Sequence, residues 1–432
     1  MNSCLRSLCL LFVLVLLPVA HSAEDTDLRL AIVLTRHGVR TPLQANEELD
    51  RYSGKPWPAW SLPPGMLTAH GYRQMVLMGE YYRDRYVAAG LLSGHADLDR
   101  EVVYFNADND ARTIASAQGI AEGLMPGEKV AVAALPQGTV DPLYRPAQVP
   151  VGNPDRQLAA AAVLGSVGGD GANVDRTWAP TLHDLRRVVY GPDGKLPPGR
   201  DPGLDRPTQI LPGAGDGTVR LAGGMSVARH VIETMILEYE DGHPMDEVGW
   251  GRVSPAMLAE FTALHAATFQ LSSGMFTAAQ IQGSNLVSHI LETIDQAVSG
   301  QPRTGAFGTP RSRLVILAGH DTNIVNVAGM LGLHWIIPGS GDNCPLPGGS
   351  LIFELRQHRR DGRYEVRVLY VAQTLEQGRD LEPLSNAHPP ALAATFIPDC
   401  SSAEPGYPAP LDRFEALLRR VINPEFVAPL AN

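Results

Sequence analysis

Three strand-like runs, each followed by a helix-like segment, constrain the fold of this chain most strongly. Leu30–Thr35 and Arg313–Ala318 each contain an uninterrupted run of five apolar residues, and Glu101–Ala107 is a third run of strand character. A continuous apolar run indicates a strand covered on both faces, which is the usual environment of a parallel strand. Segments with helical spacing follow the three runs, beginning near Thr68, Ala111 and Asn323. This repeated order of strand, loop and helix predicts an α/β fold.

The middle of the chain has a different character. Residues 158–174 are rich in alanine and glycine, and residues 191–217 carry the prolines and glycines typical of an irregular connection. Three segments have helical spacing without strand character, namely 224–240, 254–271 and 278–298. We therefore predict a three-layer α/β/α sandwich with a mostly parallel sheet, formed by residues 24–130 plus 306–432. A mainly α-helical insertion domain, residues 131–305, interrupts this core.

Strand character continues after the third run. Ser350–Glu354 and Tyr364–Tyr370 read as further strands, and we expect them to be antiparallel at the sheet edge. Leu411–Ile422 has the spacing of a closing helix. These elements complete the predicted α/β core.

The first residues have the composition of a secretory signal peptide. Arg6 precedes an apolar run, Leu8–Val19, and small residues follow before the acidic Glu24. This order is typical of a cleaved signal, and the apolar run is too short to span a membrane comfortably. We predict that residues 1–23 are a signal peptide and that the mature protein is periplasmic or secreted. The alternative is an uncleaved membrane anchor.

The composition excludes some classes of partner. The chain has 432 residues, of which 44% are hydrophobic, so a sizeable core can form. Its net charge of -11 argues against a nucleic-acid binder or a membrane-surface binder, since both are usually basic. A small phosphorylated substrate remains compatible, because a local arginine cluster can dominate its own cleft. We predict no nucleic-acid partner and no membrane partner after signal cleavage.

Two of the four cysteines belong to the predicted mature chain. Cys4 and Cys9 lie in the signal segment, and Cys344 and Cys400 remain. In an oxidising compartment such a pair favours one disulfide, the alternative being two free thiols. No Cys/His spacing indicates a zinc site.

Charged residues follow all three strand-like runs. The first run is followed by Arg36-His37-Gly38-Val39-Arg40, the second by Asp108–Thr113 with Arg112, and the third by His320-Asp321. The carboxyl ends of parallel strands meet at one edge of a sheet, where α/β proteins bind their ligands. We therefore expect three arginines, two histidines and a carboxylate around one small volume.

Such a cluster of like charges favours an anionic ligand. A phosphate monoester would offset the positive charge and accept charge-assisted hydrogen bonds from the guanidinium groups. A histidine can act as a nucleophile toward phosphorus, and an adjacent carboxylic acid can protonate the leaving group. Structural alternatives remain: Arg36 and Arg40 as surface ion pairs with glutamates, Arg112 as a solvated residue, and Asp321 as a helix N-cap.

These motifs resemble the histidine acid phosphatases of the phosphoglycerate-mutase-like superfamily. The resemblance rests on Arg36–Pro42 (RHGVRTP) and Gly319–Asn323 (GHDTN), and it is closest to the bacterial glucose-1-phosphatase and 4-phytase branch. It implies His37 as the nucleophile and Asp321 as the proton donor. It also implies a phosphate-binding shell made of Arg36, Arg40, Arg112 and His320. No metal or organic cofactor is implied, and an α/β domain with a helical insertion is expected.

Departures from the branch bear on the substrate. Phytases of this branch typically carry a threonine and a basic residue where this chain has Leu43 and Gln44. Glu233 matches an acidic position of the branch's substrate pocket, and His230 lies one turn before it. Cys400 matches one member of a disulfide whose partner is absent here.

We therefore predict a monomeric, secreted acid phosphatase that acts on sugar phosphates or on a broad range of monoesters. The first alternative is a 4-phytase acting on inositol hexakisphosphate. An alternative from another class is an inactive module that binds phosphate esters. Such a module would be expected to lack His37 or Asp321, and both residues are present.

Overall fold

We describe the protein from a computed structural model, whose described residues are 25–149, 151–215 and 217–428. The predicted signal peptide, residues 1–23, lies outside them. The strands are β1 (Thr26–Arg36), β2 (Val103–Ala107), β3 (Gln209–Pro212), β4 (Val219–Ala222), β5 (Leu314–Gly319), β6 (Ser350–His358), β7 (Tyr364–Ala372), β8 (Ala391–Thr395) and β9 (Ala409–Pro410).

The α-helices are α1 (Asn46–Leu49), α2 (Ala69–Ala88), α3 (Ala96–Asp99), α4 (Ala111–Leu124), α5 (Arg156–Ser166), α6 (Ala172–Thr177), α7 (Ala179–Val189), α8 (Gly224–Glu240), α9 (Pro255–Phe269), α10 (Phe276–Ser299), α11 (Asp321–Leu331), α12 (Leu375–Asp380) and α13 (Leu411–Val421). Short 3₁₀ turns occupy Asp50–Tyr52, Pro146–Gln148, Gly203–Asp205, Val248–Gly251 and Pro424–Phe426. A π-helical turn, Gln270–Gly274, extends α9.

The main sheet is mixed. Its strand order is β2-β5-β1-β6-β7-β8, and β9 pairs with β7. Pairing is parallel across β2, β5 and β1, and antiparallel from β1 through β6 and β7 to β8. The α/β class is confirmed. Parallel pairing is confined to the three site-bearing strands among the described residues, so the antiparallel part extends beyond the sheet edge where it was predicted.

The two faces of the sheet lie under separate layers of helices. Alternate residues of β1 face opposite sides, so Leu30, Ile32 and Leu34 join one apolar core while Ala31 and Val33 join the other. Helices α2 and α4 cover the Ala31 side, and α8, α10 and α11 contribute to the larger core on the Leu30 side. This double coverage explains why the strand is apolar without alternation.

The segment between α4 and β5 is mainly helical, as its spacing predicts. It also contains a β3–β4 antiparallel hairpin, which sequence reasoning did not find. The hairpin strands have only four residues each and adjoin the segment rich in proline and glycine, so their periodicity is weak. Helix α10 packs against α11 and β1. The division into two domains stays a prediction.

The predicted disulfide is absent. Cys344 and Cys400 are both free and buried. The backbone carbonyl of Cys344 accepts hydrogen bonds from the Tyr370 hydroxyl and from the Trp335 indole, which holds this residue beneath Arg36. Cys400 instead neighbours the charged residues of α13. The two thiols therefore occupy different surroundings within the core.

Within the described ranges, no helix is both long enough and apolar enough to cross a membrane.

Candidate active site

The three charged segments begin side by side at the parallel edge of the sheet. Arg36 of β1 lies opposite Gly319 of β5, and Ala107 of β2 lies opposite Ala318. The His37 amide donates to the Gly319 carbonyl at 3.1 Å. This register, and not proximity along the chain, brings the predicted residues together.

Two glycines fix the loop that carries His37. A Cβ on Gly71, in the first turn of α2, would lie 2.0 Å from the Val39 carbonyl oxygen. A Cβ on Gly38 would lie 2.6 Å from the Gly71 carbonyl oxygen. Thr68 caps α2 by accepting the Gly71 amide at 2.9 Å. The backbone of the loop therefore packs directly on the amino end of α2.

A cavity of about 490 Å³ opens over these loops. Nine of the predicted residues line it: His37, Arg40, Leu43, Gln44, Arg112, His230, Glu233, His320 and Asp321. Arg36 lies beneath it, hydrogen-bonded to Glu233 and paired with Asp321. The structure thus brings all ten substrate and catalytic candidates to one place.

His37 is buried and has one defined tautomer. Its Nδ1 lies 2.8 Å from the Gly38 carbonyl oxygen, so Nδ1 carries the proton and Nε2 has the free lone pair. Burial, together with the charges of Arg112, Arg40 and Arg36, holds the pKa of His37 well below its ordinary value. The ring is therefore neutral, as a nucleophile must be.

Glu233 holds two of the arginines. Its Oε1 accepts from Arg36 Nη2 at 2.8 Å and from Arg40 Nη2 at 2.9 Å. Burial opposes ionisation of this carboxyl, but the Arg40 and Arg36 charges lower its pKa below the usual range. Glu233 is only 8% exposed, so it is not a solvated helix residue. The surface-pair alternative for Arg36 and Arg40 is also wrong, since both are buried.

Three guanidinium groups retain buried donors. Among the described residues, the Nε–H groups of Arg36, Arg40 and Arg112 have no hydrogen-bond partner. Buried donors without partners are rare and costly in proteins. An anion bound beside His37 would offset the positive charge that these groups concentrate there.

His320 is close to His37 but is already hydrogen-bonded. The two rings lie edge to face with centroids 5.8 Å apart. His320 Nε2 lies 2.5 Å from Asp108 Oδ2, and its backbone amide, at the N-cap of α11, donates to Asn323 Oδ1 at 2.9 Å. Burial lowers the pKa of His320, although the bond to Asp108 opposes this.

Asp110 precedes α4 but does not cap it with its side chain. It is the N-cap residue by position, but its carboxylate pairs with Arg112 at 2.5 Å and with Arg145. Arg145 also donates to Asp108 at 2.8 Å. Two guanidinium groups compete more strongly for this carboxylate than a backbone amide does.

Asp321 is the first residue of α11, and His320 takes the N-cap position. Its Oδ2 lies 3.2 Å from Arg36 Nη2, and its Oδ1 accepts the Thr322 amide. Burial raises its pKa, but the Arg36 charge outweighs this and brings the pKa below the usual value. The cap-only alternative is therefore wrong.

Several residues of the site were not predicted. Asp108 and Arg145 support His320, and Arg229 lines the cavity one turn before Glu233. His265 is buried near Glu233, and burial lowers its pKa to about 3. The spacing of Arg229 and Glu233, four residues apart on one helix, was a signal that could have found Arg229.

One cluster has the composition of a metal site. Ligand atoms of Asp108, Asp110 and His320 lie within 4.8 Å of one another. Arg145 pairs with both carboxylates and so already neutralises them. The arrangement fits an ion-pair network better than a cation site.

A family model matches this arrangement. The model of the histidine phosphatase superfamily (branch 2) matches residues 27–164 and 277–371, which is more than half of the chain. The chain belongs to this family. The unmatched stretch between the two parts contains α8, which carries Glu233.

Curated relatives of the phosphatase include a phytase and a glucose-1-phosphatase. It is 32% identical to phytase AppA of Escherichia coli over 88% of this chain and 89% of the relative. It is 27% identical to a glucose-1-phosphatase of Providencia rettgeri over 90% and 92% of the two chains. The phosphatase is therefore a phosphoric monoester hydrolase, and small phosphorylated molecules are the substrates that fit its family.

Solved structures show the same fold. The Hafnia alvei phytase in complex with tartrate superposes with a TM-score of 0.85 at 29% identity. The superposition covers 94% of this chain and all of that one. The phosphatase shares this fold along nearly its whole length.

A second buried carboxyl lies behind the site. Glu240, at the end of α8, is buried and accepts a 3.4 Å hydrogen bond from Gln74. Burial raises the pKa of Glu240 to about 8, with the Gln74 bond opposing. The folded state thus favours its protonated form, so its stabilising contribution is complete below about pH 4 and is lost as the pH rises toward 8.

We expect Glu240→Gln to stabilise the phosphatase at alkaline pH. The neutral amide removes the cost of burying a carboxylate, so the free energy of unfolding should rise by about 1 kcal/mol or more at pH 8. At pH 4 the variant and the parent should be equally stable. Urea unfolding at both pH values measures this, with the exposed Glu404→Gln as the matched control. An equal effect at both pH values would contradict the assignment.

Proposed function

We propose that this phosphatase hydrolyses small phosphate monoesters through a phosphohistidine intermediate on His37. The observation that carries the proposal is a neutral, buried imidazole beside three guanidinium groups with unpartnered donors. The family match supports it, since transfer to histidine is the general mechanism of this family.

The first step would transfer the phosphoryl group to the enzyme. His37 Nε2 forms the P–N bond as the bond between phosphorus and the ester oxygen breaks. Arg36, Arg40 and Arg112 stabilise the charge on the three non-bridging oxygens. His320, whose ring centroid lies 5.8 Å from that of His37, completes the proposed phosphate-binding shell while its Nε2 stays hydrogen-bonded to Asp108.

Asp321 is the proposed proton donor to the leaving group. Its carboxylic acid donates a proton to the departing alkoxide, and the resulting carboxylate later accepts a proton from the water that attacks phosphohistidine. Hydrolysis then returns free His37 and inorganic phosphate. Acidic medium would favour the first step, because the Arg36 charge keeps Asp321 ionised at neutral pH.

Substrate choice depends on the cavity wall. Leu43 is half exposed and Gln44 is uncharged, so this side offers neither the hydroxyl nor the positive charge expected of the phytases. We propose sugar phosphates or a broad range of monoesters as substrates. His230, whose pKa burial lowers, adds an uncharged ring to the same wall. We also propose that the enzyme works as an exported monomer in the periplasm or outside the cell.

The alternative substrate is inositol hexakisphosphate. Two further arginines, Arg145 and Arg229, line the cavity and favour a ligand with several charges. The identity to phytase AppA is consistent with this alternative.

We expect His37→Ala to abolish hydrolysis of p-nitrophenyl phosphate, because no nucleophile remains. When the reaction with ³²P-labelled substrate is quenched during turnover, the parent should carry acid-labile, base-stable label. The variant should carry none. His183→Ala, at an exposed histidine of α7, is the control and should keep full activity. Undiminished turnover by His37→Ala would refute the nucleophile assignment. An inactive parent would instead indicate a binding module.

We expect Asp321→Asn to slow hydrolysis of glucose 1-phosphate by about 100-fold, since an amide cannot protonate the leaving group. The phosphorylation step with p-nitrophenyl phosphate should suffer less, because p-nitrophenolate leaves without a proton. In the parent, kcat/KM should rise as the pH falls from 7 to 5, since the protonated fraction of Asp321 grows. Stopped-flow measurement of nitrophenol release separates the steps, with Asp97→Asn as the exposed control. Equal losses for both esters would argue against the donor role.

A hydrolysis panel at acidic pH tests the substrate. We expect glucose 1-phosphate and simple esters to be hydrolysed at least as well as inositol hexakisphosphate, since Leu43 and Gln44 offer no charge to a polyphosphorylated ring. Initial phosphate release at equal, subsaturating concentrations gives the ratio of kcat/KM values. A strong preference for inositol hexakisphosphate would favour the phytase alternative.

A further inference from the structure

Arg229 is a cavity arginine that has no acidic partner among the described residues. It lies on α8 and lines the same cavity as His37 and Asp321. Its guanidinium carbon lies 4.1 Å from the centroid of the Phe269 ring. Within the described part of the chain, it has neither a hydrogen bond nor an ion pair.

The other arginines that line the cavity are paired. Arg40 donates to Glu233, Arg112 pairs with Asp110, and Arg145 pairs with both Asp108 and Asp110.

The acids nearest to Arg229 are already engaged. Glu233 lies four residues along the same helix, but its Oε1 accepts from both Arg36 and Arg40. Asp321 pairs with Arg36 and accepts the Thr322 amide. Arg229 is therefore a positive charge that remains available to a ligand.

Phe269 holds this charge in a defined place. The ring belongs to α9, is 1% exposed, and meets the His265 ring edge to face at 5.0 Å. A guanidinium lying over an aromatic face keeps its N–H groups in its own plane, where they can bind an anion. A fixed cation loses little conformational freedom when it binds a ligand.

We propose that Arg229 binds a second anionic group, a phosphate or a carboxylate, on the leaving-group part of the substrate. The inference rests on the proposed function, in which Arg36, Arg40 and Arg112 hold the phosphate that is transferred. Arg229 and Asp321 line the same cavity, and Asp321 is the proposed proton donor to the leaving oxygen. The leaving group therefore departs into the cavity that Arg229 lines. The preferred substrates are small phosphate monoesters that carry one further anionic group.

A matched pair of substrates tests this role. Glucose 1,6-bisphosphate has a second phosphate that glucose 1-phosphate lacks. We expect Arg229→Gln to lower kcat/KM for the bisphosphate by about tenfold, the loss of one charge-assisted contact, and to change that for glucose 1-phosphate by less than about threefold. Arg229→Lys should retain part of the preference, because it keeps the charge but not the planar fork.

Controls separate this role from folding and from the basic reaction. Arg187→Gln, at an exposed position of α7 outside the cavity, should leave both substrates unaffected. Thermal unfolding of each variant identifies loss of fold. If Arg229→Gln loses both activities equally, or neither, the proposed role of Arg229 is wrong while the phosphatase function stands. If the parent hydrolyses neither sugar phosphate, the proposed function is wrong. The role of Arg229 depends on that function and is then wrong as well.

Discussion

The active site depends on one carboxylate. A single oxygen of Glu233 accepts from both Arg36 and Arg40, so α8 is joined to the loop that leaves β1. Both arginines are buried, and two buried cations without a counter-charge would carry a large desolvation cost. The helical segment between α4 and β5 thus completes the site. The charges in the sheet loops could not be buried without it.

The charges around the cavity are balanced in a way that leaves the histidines neutral. Glu233, Asp321, Asp108 and Asp110 each pair with one or two arginines. Burial depresses the pKa of His37, the net positive charge that remains adds to this effect, and the Nε2 lone pair therefore stays available. The charges that would attract an anionic ester therefore also keep the imidazole of His37 unprotonated, as its proposed role as a nucleophile requires.

Sequence reasoning succeeded where a residue pattern has a single strong physical cause. The apolar residues of β1 marked a strand covered on both faces, and the strand ends located His37 and His320-Asp321. Glu233 was found only through resemblance to a family, because its partners lie almost 200 positions away. Arg145 was missed because an irregular segment separates it in the sequence from Asp108, the residue to which it donates. The role of Asp110 is visible only in the structure, because a residue that caps a helix is indistinguishable in sequence from one held by two arginines.

The central place of β1 also makes its pairing depend on distant parts of the chain. This strand opens the described chain, yet both of its neighbours, β5 and β6, come from residues 314–358. An eleven-residue, largely apolar strand therefore stays unpaired until the last third of the chain is available, and exposed segments of this kind are prone to aggregate. Both pairings of β1 join residues that are far apart in the sequence, and the charged cluster at its carboxyl end can assemble only when they form. Recovery of enzymatic activity on refolding therefore requires these long-range pairings.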